Sequence, residues 1–525
     1  FDTAHLDALF AQTHAGEVID IPTGVGFCMY IRRDSLRHIG LFDVETFGKG
    51  YGEENDFCRR AMAAGWRNLH ALDTFVLHTG GVSFGASKNQ RELDAMQTLR
   101  RLYPDYEAEV LGFVQQDPAR PYRQRIDLAR LRARRVPMVL AVAHNRGGGT
   151  LHHVEELADH LWNQAAFLLL TPAPNHSVKL QMLGKQEAFE LNFDLSEQWE
   201  ALVAFLHNIG VAHVHYHHLI GHDTRITQLP TLLGVSYDFT AHDYYSFCPQ
   251  ITLTDHSNAY CGEEGLGQCH DCLRHAPAPG GASIEAWRAK HASFVAGARH
   301  VFAPSRDTAR RFVGFAPTAD IRLAPHTDIE APHILPRPQP RPLATDAPLK
   351  IAVIGAISII KGADLLEDVA TAAAKSGAPV EFHLIGFAYR SLRTQPQAAL
   401  TVHGEYRNQD LPGLLEGLQP DLVWFPAQWP ETYSYTLSAC LQAGLPVVAP
   451  DLGAFAERLA QRAWTWLRPW HEQPAQWLDF FLDIRTAHFI TSTPPVPPEG
   501  LAATPADAAI RPWHYTNAYA QGLSI

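Results

Sequence analysis

A lone carboxylate followed by a row of hydroxyl side chains is the part of this 525-residue sequence best suited to chemistry. In the stretch PETYSYTLSA, Glu431 stands ahead of four aliphatic hydroxyl residues, which are Thr432, Ser434, Thr436 and Ser438. Hydroxyls and free amides at a helix start bind anions such as phosphate, and a carboxylate can accept hydrogen bonds from sugar or ribose hydroxyls. The pattern favours a nucleotide-sugar site, although a capped core helix with an incidental acid would show the same spacing.

A lysine, two glycines and a histidine elsewhere could contribute to such a site. Lys361, in GAISIIKGAD, would offer a compact positive charge to a diphosphate. Gly148 and Gly149, in NRGGGT, would let the backbone approach a phosphate or an acceptor closely. His242, in FTAHDYY, stands at a predicted strand end, where the residues alone favour a structural role.

Four of the seven cysteines follow the spacing C-x12-C-x7-C-x2-C, namely Cys248, Cys261, Cys269 and Cys272. Zinc prefers four tetrahedral ligands, and such a set could supply them. A metal staple would also explain the length of the loop SNAYCGEEGLGQCHDC, which has no obvious secondary structure. Free or paired thiols are the alternative interpretation.

Histidines crowd the stretch HVHYHHLIGHD, and its alternation is typical of a strand. His215 and His217 would share one face of that strand. A metal site is conceivable there, but we interpret these histidines as structural.

Acidic residues gather at the start of a predicted helix, EENDFCRRAMAAG, which Gly65 should end. Glu53, Glu54 and Asp56 would suit the helix dipole, which is a sufficient reason for their presence. A nearby carboxylate with a suitable pKa is also what general-base catalysis requires.

The elements that position these residues repeat the order strand, turn, helix. PMVLAVAH, NRGGGT and LHHVEELADHLW form one such series, and LKIAVIGAI, SIIKGAD and LLEDVATAAAKSG form another. This order is typical of doubly wound α/β domains. We predict five segments, which are 1–115, a linker 116–135, a domain 136–330, a Pro-rich linker 331–348 and a domain 349–525.

The first linker contains seven arginines and no lysine between residues 120 and 135. It could be a solvated helical connector or a contact with an anionic membrane surface.

Composition excludes some classes of protein. A net charge of −12 argues against a nucleic-acid binder that works by general charge. No apolar run approaches the roughly 18 residues of a membrane span. No signal peptide is recognisable, and because the sequence starts at Phe1 we expect residues upstream of it. The odd number of cysteines favours a reducing cytoplasm.

The C-terminal motifs resemble those of retaining GT-B glycosyltransferases of family 4. Glu431 matches the first acid of the family signature, GLPVVA matches its small-residue turn, and DLGAFAE, with Glu457, matches the stretch that follows. Ala439 stands where the family has a second glutamate. The resemblance implies that Glu431 is a catalytic residue and that Glu457 and the hydroxyl row bind the donor.

Other positions fit the same family. Lys361 matches its phosphate-binding lysine, whereas Ala356 and Ile357 stand where an arginine usually accompanies it. NRGGGT, with Gly148 and Gly149, resembles the Gly-Gly loop. His242 resembles the active-site histidine that faces the transferred sugar.

Residues 1–115 resemble the acceptor-side half of a GT-A glycosyltransferase of family 2. Glu53 and Glu54 match the acidic pair that supplies the base in an inverting displacement, and we predict Glu54 as the base. His78, in VLHTGG, matches the late histidine that can complete a divalent-metal site for Mg or Mn. The half that would hold the nucleotide is expected upstream, so this block should not be catalytic by itself.

The predicted fold class is α/β, with a GT-B pair of doubly wound Rossmann-like domains preceded by a partial GT-A domain. The predicted function is sugar transfer from a nucleotide sugar to a glycan or lipid-linked glycan, with hexosyl or deoxyhexosyl transfer in bacterial, O-antigen-like polysaccharide synthesis. The GT-B part should be retaining and need no metal. We expect a cytoplasmic protein, with peripheral contact at the inner face of the cytoplasmic membrane as an open alternative. A degenerate GT-B module that binds glycan or scaffolds a partner, and a nucleotide-sugar epimerase, are the alternative functions.

Overall fold

The structure is a computed structural model that describes residues 2–47, 52–78, 88–184, 190–328, 335–521 and 523. It divides into two compact units, Phe1–Arg135 and Val136–Ile525.

The described part of the first unit is mainly helical. Its helices are α1 (Thr3–Thr13), α2 (Arg33–Ile39), α3 (Val44–Phe47), α4 (Glu53–Ala63), α5 (Lys88–Leu102), α6 (Tyr106–Gln116) and α7 (Arg120–Ala133). Strands β1 (Val18–Asp20) and β2 (Leu69–Ala71) pair antiparallel, with Ile19 opposite His70. The acidic cluster lies at the start of α4, as predicted, and α4 follows Gly52, whose φ of 93° suits only glycine well.

The arginine-rich segment predicted as a linker forms α7 and packs within the first unit. Ile126 and Leu131 on this helix are buried. Its side facing α1 contacts His14, whose Nε2 lies 3.0 Å from the Tyr122 carbonyl oxygen. Arg125 also lies 3.4 Å from the carboxylate of Glu17. The segment is therefore a packed helix over most of its length.

The second unit contains two separate sheets. Its strands are β3 (Met138–Val142), β4 (Ala166–Ala173), β5 (Ser177–Met182), β6 (Glu190–Asp194), β7 (Val211–Tyr216), β8 (Tyr237–Thr240), β9 (Val301–Ala303), β10 (Ile321–Leu323), β11 (Leu349–Ile357), β12 (Val380–Ala388), β13 (Leu400–Val402), β14 (Leu422–Trp424), β15 (Val447–Pro450), β16 (Thr465–Arg468) and β17 (Arg511–Pro512). Its helices are α8 (Gly149–His160), α9 (Trp199–Asn208), α10 (Leu229–Leu233), α11 (Leu266–His275), α12 (Ile284–Ala296), α13 (Arg306–Phe315), α14 (Ala363–Ser376), α15 (Leu411–Leu418), α16 (Tyr435–Gln442), α17 (Ala454–Arg458), α18 (Pro474–Ile484) and α19 (Tyr515–Ala518).

The first of these sheets has the order β17-β10-β9-β8-β7-β3-β4-β5-β6 among the described residues. Pairing is parallel from β17 to β4, and β5 and β6 extend the edge antiparallel. Every residue of β3 is buried, which explains why MVLAV is continuously apolar.

The second sheet has the order β13-β12-β11-β14-β15-β16 and is parallel throughout. Renumbered from its own first strand, this is the order 3-2-1-4-5-6 of a Rossmann fold. Its core packs β11, β12 and β14 against α14 and α18. The predicted α/β class with two doubly wound domains is confirmed by these two sheets.

The end of the chain returns to the first sheet. Strand β17 pairs with β10, and α19 follows it directly. Tyr515 and Tyr519 are buried beside β3 and β4, in the same cluster as Val139 and Phe167. The tail therefore completes the domain that β3 begins.

The Pro-rich segment 331–348 is partly outside the described residues, which resume at residue 335. Its described part runs along the second domain, where Pro336 packs near Gly444. In the described part of the chain, no helix is long and apolar enough to cross a membrane.

Candidate functional site

The candidate site of the second unit lies where the carboxyl ends of the parallel strands of its two sheets meet. In each sheet, successive strands are first added on one side of the first strand and then on its other side. The change of side falls between β3 and β7 in the first sheet and between β11 and β14 in the second. Ligands of open α/β sheets bind outside such switch points. The predicted residues of both domains follow these strand ends.

Glu431 lies in the loop after β14 and is nearly buried. Its Oε1 is 3.9 Å from Nζ of Lys361, which follows β11. Two glycines permit this approach: a Cβ on Gly362 would lie 2.1 Å from the Pro426 carbonyl oxygen, and one on Gly453 would lie 2.6 Å from the Glu431 carbonyl oxygen. The structure thus brings together the two charged residues that the sequence singled out.

Two of the predicted hydroxyls lie at the start of α16. Ser434 is the N-cap, and its Oγ accepts a hydrogen bond from the Leu437 amide. Its Oγ also lies 3.2 Å from Oγ1 of Thr436. Ser434 has φ 76° and ψ 96°, a conformation that non-glycine residues adopt mainly where the surroundings enforce it. The start of α16, with the hydroxyls of Ser434 and Thr436, lies next to β11, because a Cβ on Gly355 would be 3.6 Å from the Thr436 side chain.

The other two hydroxyls, of Thr432 and Ser438, form hydrogen bonds within the protein. Thr432 donates a hydrogen bond of 2.7 Å to the carbonyl of His242 and so joins the two domains. Ser438 is buried and accepts a 2.7 Å hydrogen bond from Nη2 of Arg458.

Arg458 organises the loop ahead of α16, although it is not among the residues predicted from the sequence. Its Nη1 donates to the carbonyls of Tyr433 and Ser434 at 2.7 and 2.8 Å. Its guanidinium also lies 3.9 Å from the centre of the Tyr433 ring. A planar, multidentate cation suits this combination. The only signal in the sequence is its place directly after Glu457.

Glu457, predicted to bind the donor, is engaged by the first domain in this structure. Both of its carboxylate oxygens accept a 2.8 Å hydrogen bond from the amide of Arg306. That amide is at the start of α13, where a carboxylate is favoured by the helix dipole. Burial raises the pKa of Glu457.

The glycine-rich loop faces the same helix start from the other domain. Gly148 has φ 75° and precedes α8, which begins at Gly149. A Cβ on Gly149 would lie 3.6 Å from the ring of Tyr435. The Tyr435 hydroxyl donates to the Glu156 carboxylate on α8 at 2.8 Å. The predicted acceptor-side loop and the predicted donor-side helix are thus neighbours.

His242 follows β8, is half-buried and lies beside the buried histidines His153, His217 and His326. Its Nε2 lies 3.1 Å from Nδ1 of His217. Burial, and then the neighbouring histidines, lower the pKa of His242 well below its ordinary value. Burial likewise lowers the pKa of His153 to about 4. These imidazoles are therefore neutral at neutral pH.

The four cysteines of the predicted zinc site share one region of the first domain. Cys269 and Cys272 are three residues apart on α11 and lie on one face of it. Burial, followed by repulsion from the other thiolates, raises the pKa of Cys248 and of Cys261, to about 12 and about 11 respectively. None of the four forms a disulfide.

A cavity of about 560 Å³ opens between this cysteine-rich loop and the Lys361 loop. Residues on both sides line it, including Thr252 and His256 from the first domain and Ser358, Ile360 and Tyr389 from the second. A second cavity, of about 630 Å³, is lined by Ala439, Arg341 and Gln442 and shares no residue with the first. The alanine that replaces the family's second glutamate thus lines a different cavity from the one beside the Lys361 loop.

In the first unit, Glu54 and His78 both lie against the turn Gly26–Cys28. Gly26 packs on the Glu54 side chain, and the His78 ring stacks on Phe27 with centroids 4.3 Å apart. Burial, and then the charge of Glu53, raise the pKa of Glu54. A raised pKa suits the predicted role of Glu54 as a base.

Asp56 differs from its acidic neighbours, because it is buried and held by two partners. It accepts hydrogen bonds from the Tyr103 hydroxyl at 2.6 Å and from Nε of Arg60 at 2.8 Å. These contacts give Asp56 a structural role. Residues 79–81, which follow His78 in the predicted motif, lie outside the described residues.

Comparison with known proteins gives a distant likeness only. No protein-family profile and no curated protein matches this chain. Among solved structures, HepE of Anabaena in complex with UDP and glucose has 13% identity and a TM-score of 0.40, over 68% of this chain and 93% of that chain. Sucrose-phosphate synthase from Thermosynechococcus elongatus has 14% identity and a TM-score of 0.42, over 68% and 92%.

The catalytic domain of starch synthase IV from Arabidopsis thaliana, bound to ADP and acarbose, has 11% identity and a TM-score of 0.40, over 68% and 96% of the two chains. The likeness to all three structures is distant both in sequence and in backbone geometry.

Proposed function

We propose that residues 136–525 transfer a sugar from a nucleotide-sugar donor bound between the two domains. The observation that carries this proposal is the pairing of Lys361 with Glu431 beside the start of α16, opposite the Gly148–Gly149 loop. A cation, a carboxylate, hydroxyls and helix amides are the groups that a sugar linked to a diphosphate requires.

Each group has a distinct part in the proposed reaction. Lys361 and the start of α16, with Ser434 and Thr436, would bind the diphosphate and stabilise the charge that develops on it as it leaves. Glu431 would accept hydrogen bonds from hydroxyls of the sugar. His242, neutral and beside the cleft, would contact the transferred sugar and hold its reacting carbon in place.

We further propose that transfer is retaining, with the acceptor hydroxyl attacking the face from which the diphosphate leaves. The acceptor would be a glycan or lipid-linked glycan, as in synthesis of a bacterial O-antigen-like polysaccharide, with hexosyl or deoxyhexosyl transfer. This chemistry needs no metal. Contact with the cytoplasmic face of a membrane would bring a lipid-linked acceptor to the cleft.

For the first unit we propose the acceptor-side half of a GT-A glycosyltransferase. The raised pKa of Glu54 and its position beside the turn that also contacts His78 support a base and a nearby metal ligand. A complete domain would use Mg or Mn, with His78 as one ligand.

A second candidate is a degenerate module that binds glycan or scaffolds a partner enzyme. The observations that favour it are Ala439 and the pair Ala356 and Ile357, which replace polar residues of the resembling family. A nucleotide-sugar epimerase is a third candidate and would need no acceptor.

Calorimetry separates the candidates. The full chain is titrated with UDP, GDP, dTDP and their common sugars, with and without Mg²⁺. Selective binding that falls in Lys361→Ala, but not in the control Lys375→Ala on the exposed face of α14, supports a transferase and gives its donor class. Absence of binding to every nucleotide contradicts both enzyme proposals and favours the degenerate module. Release of free epimerised nucleotide sugar without acceptor would favour the epimerase.

A further inference from the structure

Four histidine rings from four separate elements meet in the first domain of the second unit. His153 lies on α8, His217 follows β7, His242 follows β8 and His326 follows β10. Ring centroids are 4.0 Å apart for His153 and His326, 5.2 Å for His153 and His242, and 5.3 Å for His217 and His242. Sequence spacing does not reveal this group, because the parallel sheet alone brings the strand ends together.

The ring nitrogens of this group lack partners to an unusual degree. Among the described residues, neither Nδ1 nor Nε2 of His153 has a hydrogen-bond partner, and both are buried. Nε2 of His217 and Nδ1 of His326 are also buried and also lack a hydrogen-bond partner among the described residues. Buried polar atoms are almost always paired in folded proteins, so each such nitrogen requires an explanation.

Histidines next to this group are fully paired by comparison. His215, two residues before His217, contacts the Tyr519 hydroxyl and the Thr240 hydroxyl at 2.7 Å each. His218 contacts the Asp243 carboxylate at 2.9 Å. His215 and His218 therefore differ from the four-histidine group, although Nδ1 of His222, in the same histidine-rich stretch, is also buried without a hydrogen-bond partner.

We propose that His153, His217 and His242 bind a divalent transition-metal ion, with zinc as the leading candidate. One ring nitrogen from each lies within 4.8 Å of the others, and this is the one such group among the described histidines, cysteines and acids. Imidazole nitrogen is a preferred ligand of zinc and similar ions. Three imidazoles leave one position of a tetrahedral ion open to water or to an oxygen of a bound ligand.

The ion would lie beside the contact between the two domains. The His242 carbonyl accepts the hydrogen bond from Thr432, and the His326 ring lies 4.4 Å from that of Tyr433. Occupancy should therefore stabilise the contact between the domains. The proposal does not depend on sugar transfer, because binding of the ion can be measured without a nucleotide or an acceptor.

For the test, the full chain is purified without a histidine tag and its bound metal is removed with a chelator. The chain is then titrated with Co²⁺ and afterwards with Zn²⁺. We expect a visible d–d band from Co²⁺ bound by nitrogen ligands. This band should disappear when added Zn²⁺ displaces the cobalt ion. His153→Gln and His217→Gln should lose this band, whereas the control His291→Gln, a buried histidine on α12, should keep it. Cys269→Ser separates this ion from one at the cysteines, since thiolate ligands add a sulfur-to-cobalt charge-transfer band that the histidine site lacks.

Two outcomes would overturn the proposal. One is a wild-type chain whose only cobalt spectrum carries the sulfur band and disappears in Cys269→Ser. The other is an unchanged nitrogen-ligand band in both His153→Gln and His217→Gln. If these variants do not fold, zinc-edge anomalous diffraction from wild-type crystals soaked in Zn²⁺ decides the question, because a peak among the three rings supports the site and its absence contradicts it.

Discussion

The ammonium of Lys361 lies 3.9 Å from the carboxylate of Glu431, and the two residues sit in loops that follow the neighbouring parallel strands β11 and β14. This ion pair lies at the switch point of a Rossmann sheet, and in the proposed donor site its cation would bind phosphate and its acid would bind sugar hydroxyls. Substrate that binds there would take over the interactions of both partners.

Removing only the charge of Glu431 should separate nucleotide binding from transfer. In Glu431→Gln, Lys361 loses a competing partner, so we expect UDP or the cognate diphosphate to bind with unchanged or up to roughly threefold higher affinity. Transfer should fall on the order of 100-fold, because the sugar loses a charged hydrogen-bond acceptor.

Calorimetry with the nucleoside diphosphate and a radiolabelled transfer assay measure the two effects of Glu431→Gln. The exposed Glu416, on α15, provides the control Glu416→Gln, which should match wild type in both. Full transfer activity in Glu431→Gln would exclude the proposed role for this residue.

Arg458→Ala should destabilise the second unit and disorder the start of α16. The change removes three hydrogen bonds, to Tyr433, Ser434 and Ser438, and a cation–π contact with Tyr433. We expect a loss of about 2–4 kcal/mol in the free energy of unfolding, measured by urea denaturation.

Arg458→Lys should recover only part of this loss, because an ammonium cannot reproduce the planar fork. Arg407→Ala is the control, since Arg407 is exposed and pairs with Asp410 at the surface. Equal stability of Arg458→Ala and Arg407→Ala would contradict the structure of this loop.

Acid should destabilise the second unit through its buried histidines, and His222 provides a probe outside the proposed metal site. Burial lowers the pKa of His222 to about 4. Between pH 6.5 and 4, His222 is protonated in the unfolded state but remains neutral in the folded state. The free energy of unfolding therefore falls as the pH falls through this window.

For His222 the difference between its folded and unfolded pKa values corresponds to about 3 kcal/mol across the window. Urea unfolding at pH 7, 6 and 5, with chelator present, should show a shallower dependence on pH in His222→Gln than in wild type. The exposed Lys375 on α14 gives the control Lys375→Gln, for which the wild-type slope should remain. A slope equal to wild type in His222→Gln would show that this imidazole titrates normally.

A zinc ion at Cys248, Cys261, Cys269 and Cys272 remains a proposal, and metal analysis tests it. We expect chain purified in the presence of zinc to retain one ion through dialysis and to lose it in Cys269→Ser and in Cys272→Ser. Loss of the ion should lower the melting temperature, because the surrounding loop has little secondary structure of its own. Cys440→Ala, at a buried cysteine on α16, should leave the zinc content unchanged. Wild-type chain that keeps no zinc, with four thiols that react freely, would contradict this site.

The sequence by itself determined the α/β class with doubly wound domains, the turn after β11 that contains Lys361 and the strand end that precedes His242. Short apolar runs that are bounded by glycine turns and followed by amphipathic helices favour strands buried on both faces, and the turns mark where each strand ends. Those signals are local, so they can be read along the chain.

Tertiary structure alone decided which of these residues meet. It assigned Thr432 and Ser438 to contacts within the protein, brought in Arg458, and joined Glu457 to the start of α13. It also gathered His153 and His326 around His217 and His242, from positions more than 170 residues apart. Such contacts depend on which strands become neighbours in a sheet and how two sheets face each other, and neither property is encoded in spacing along the chain.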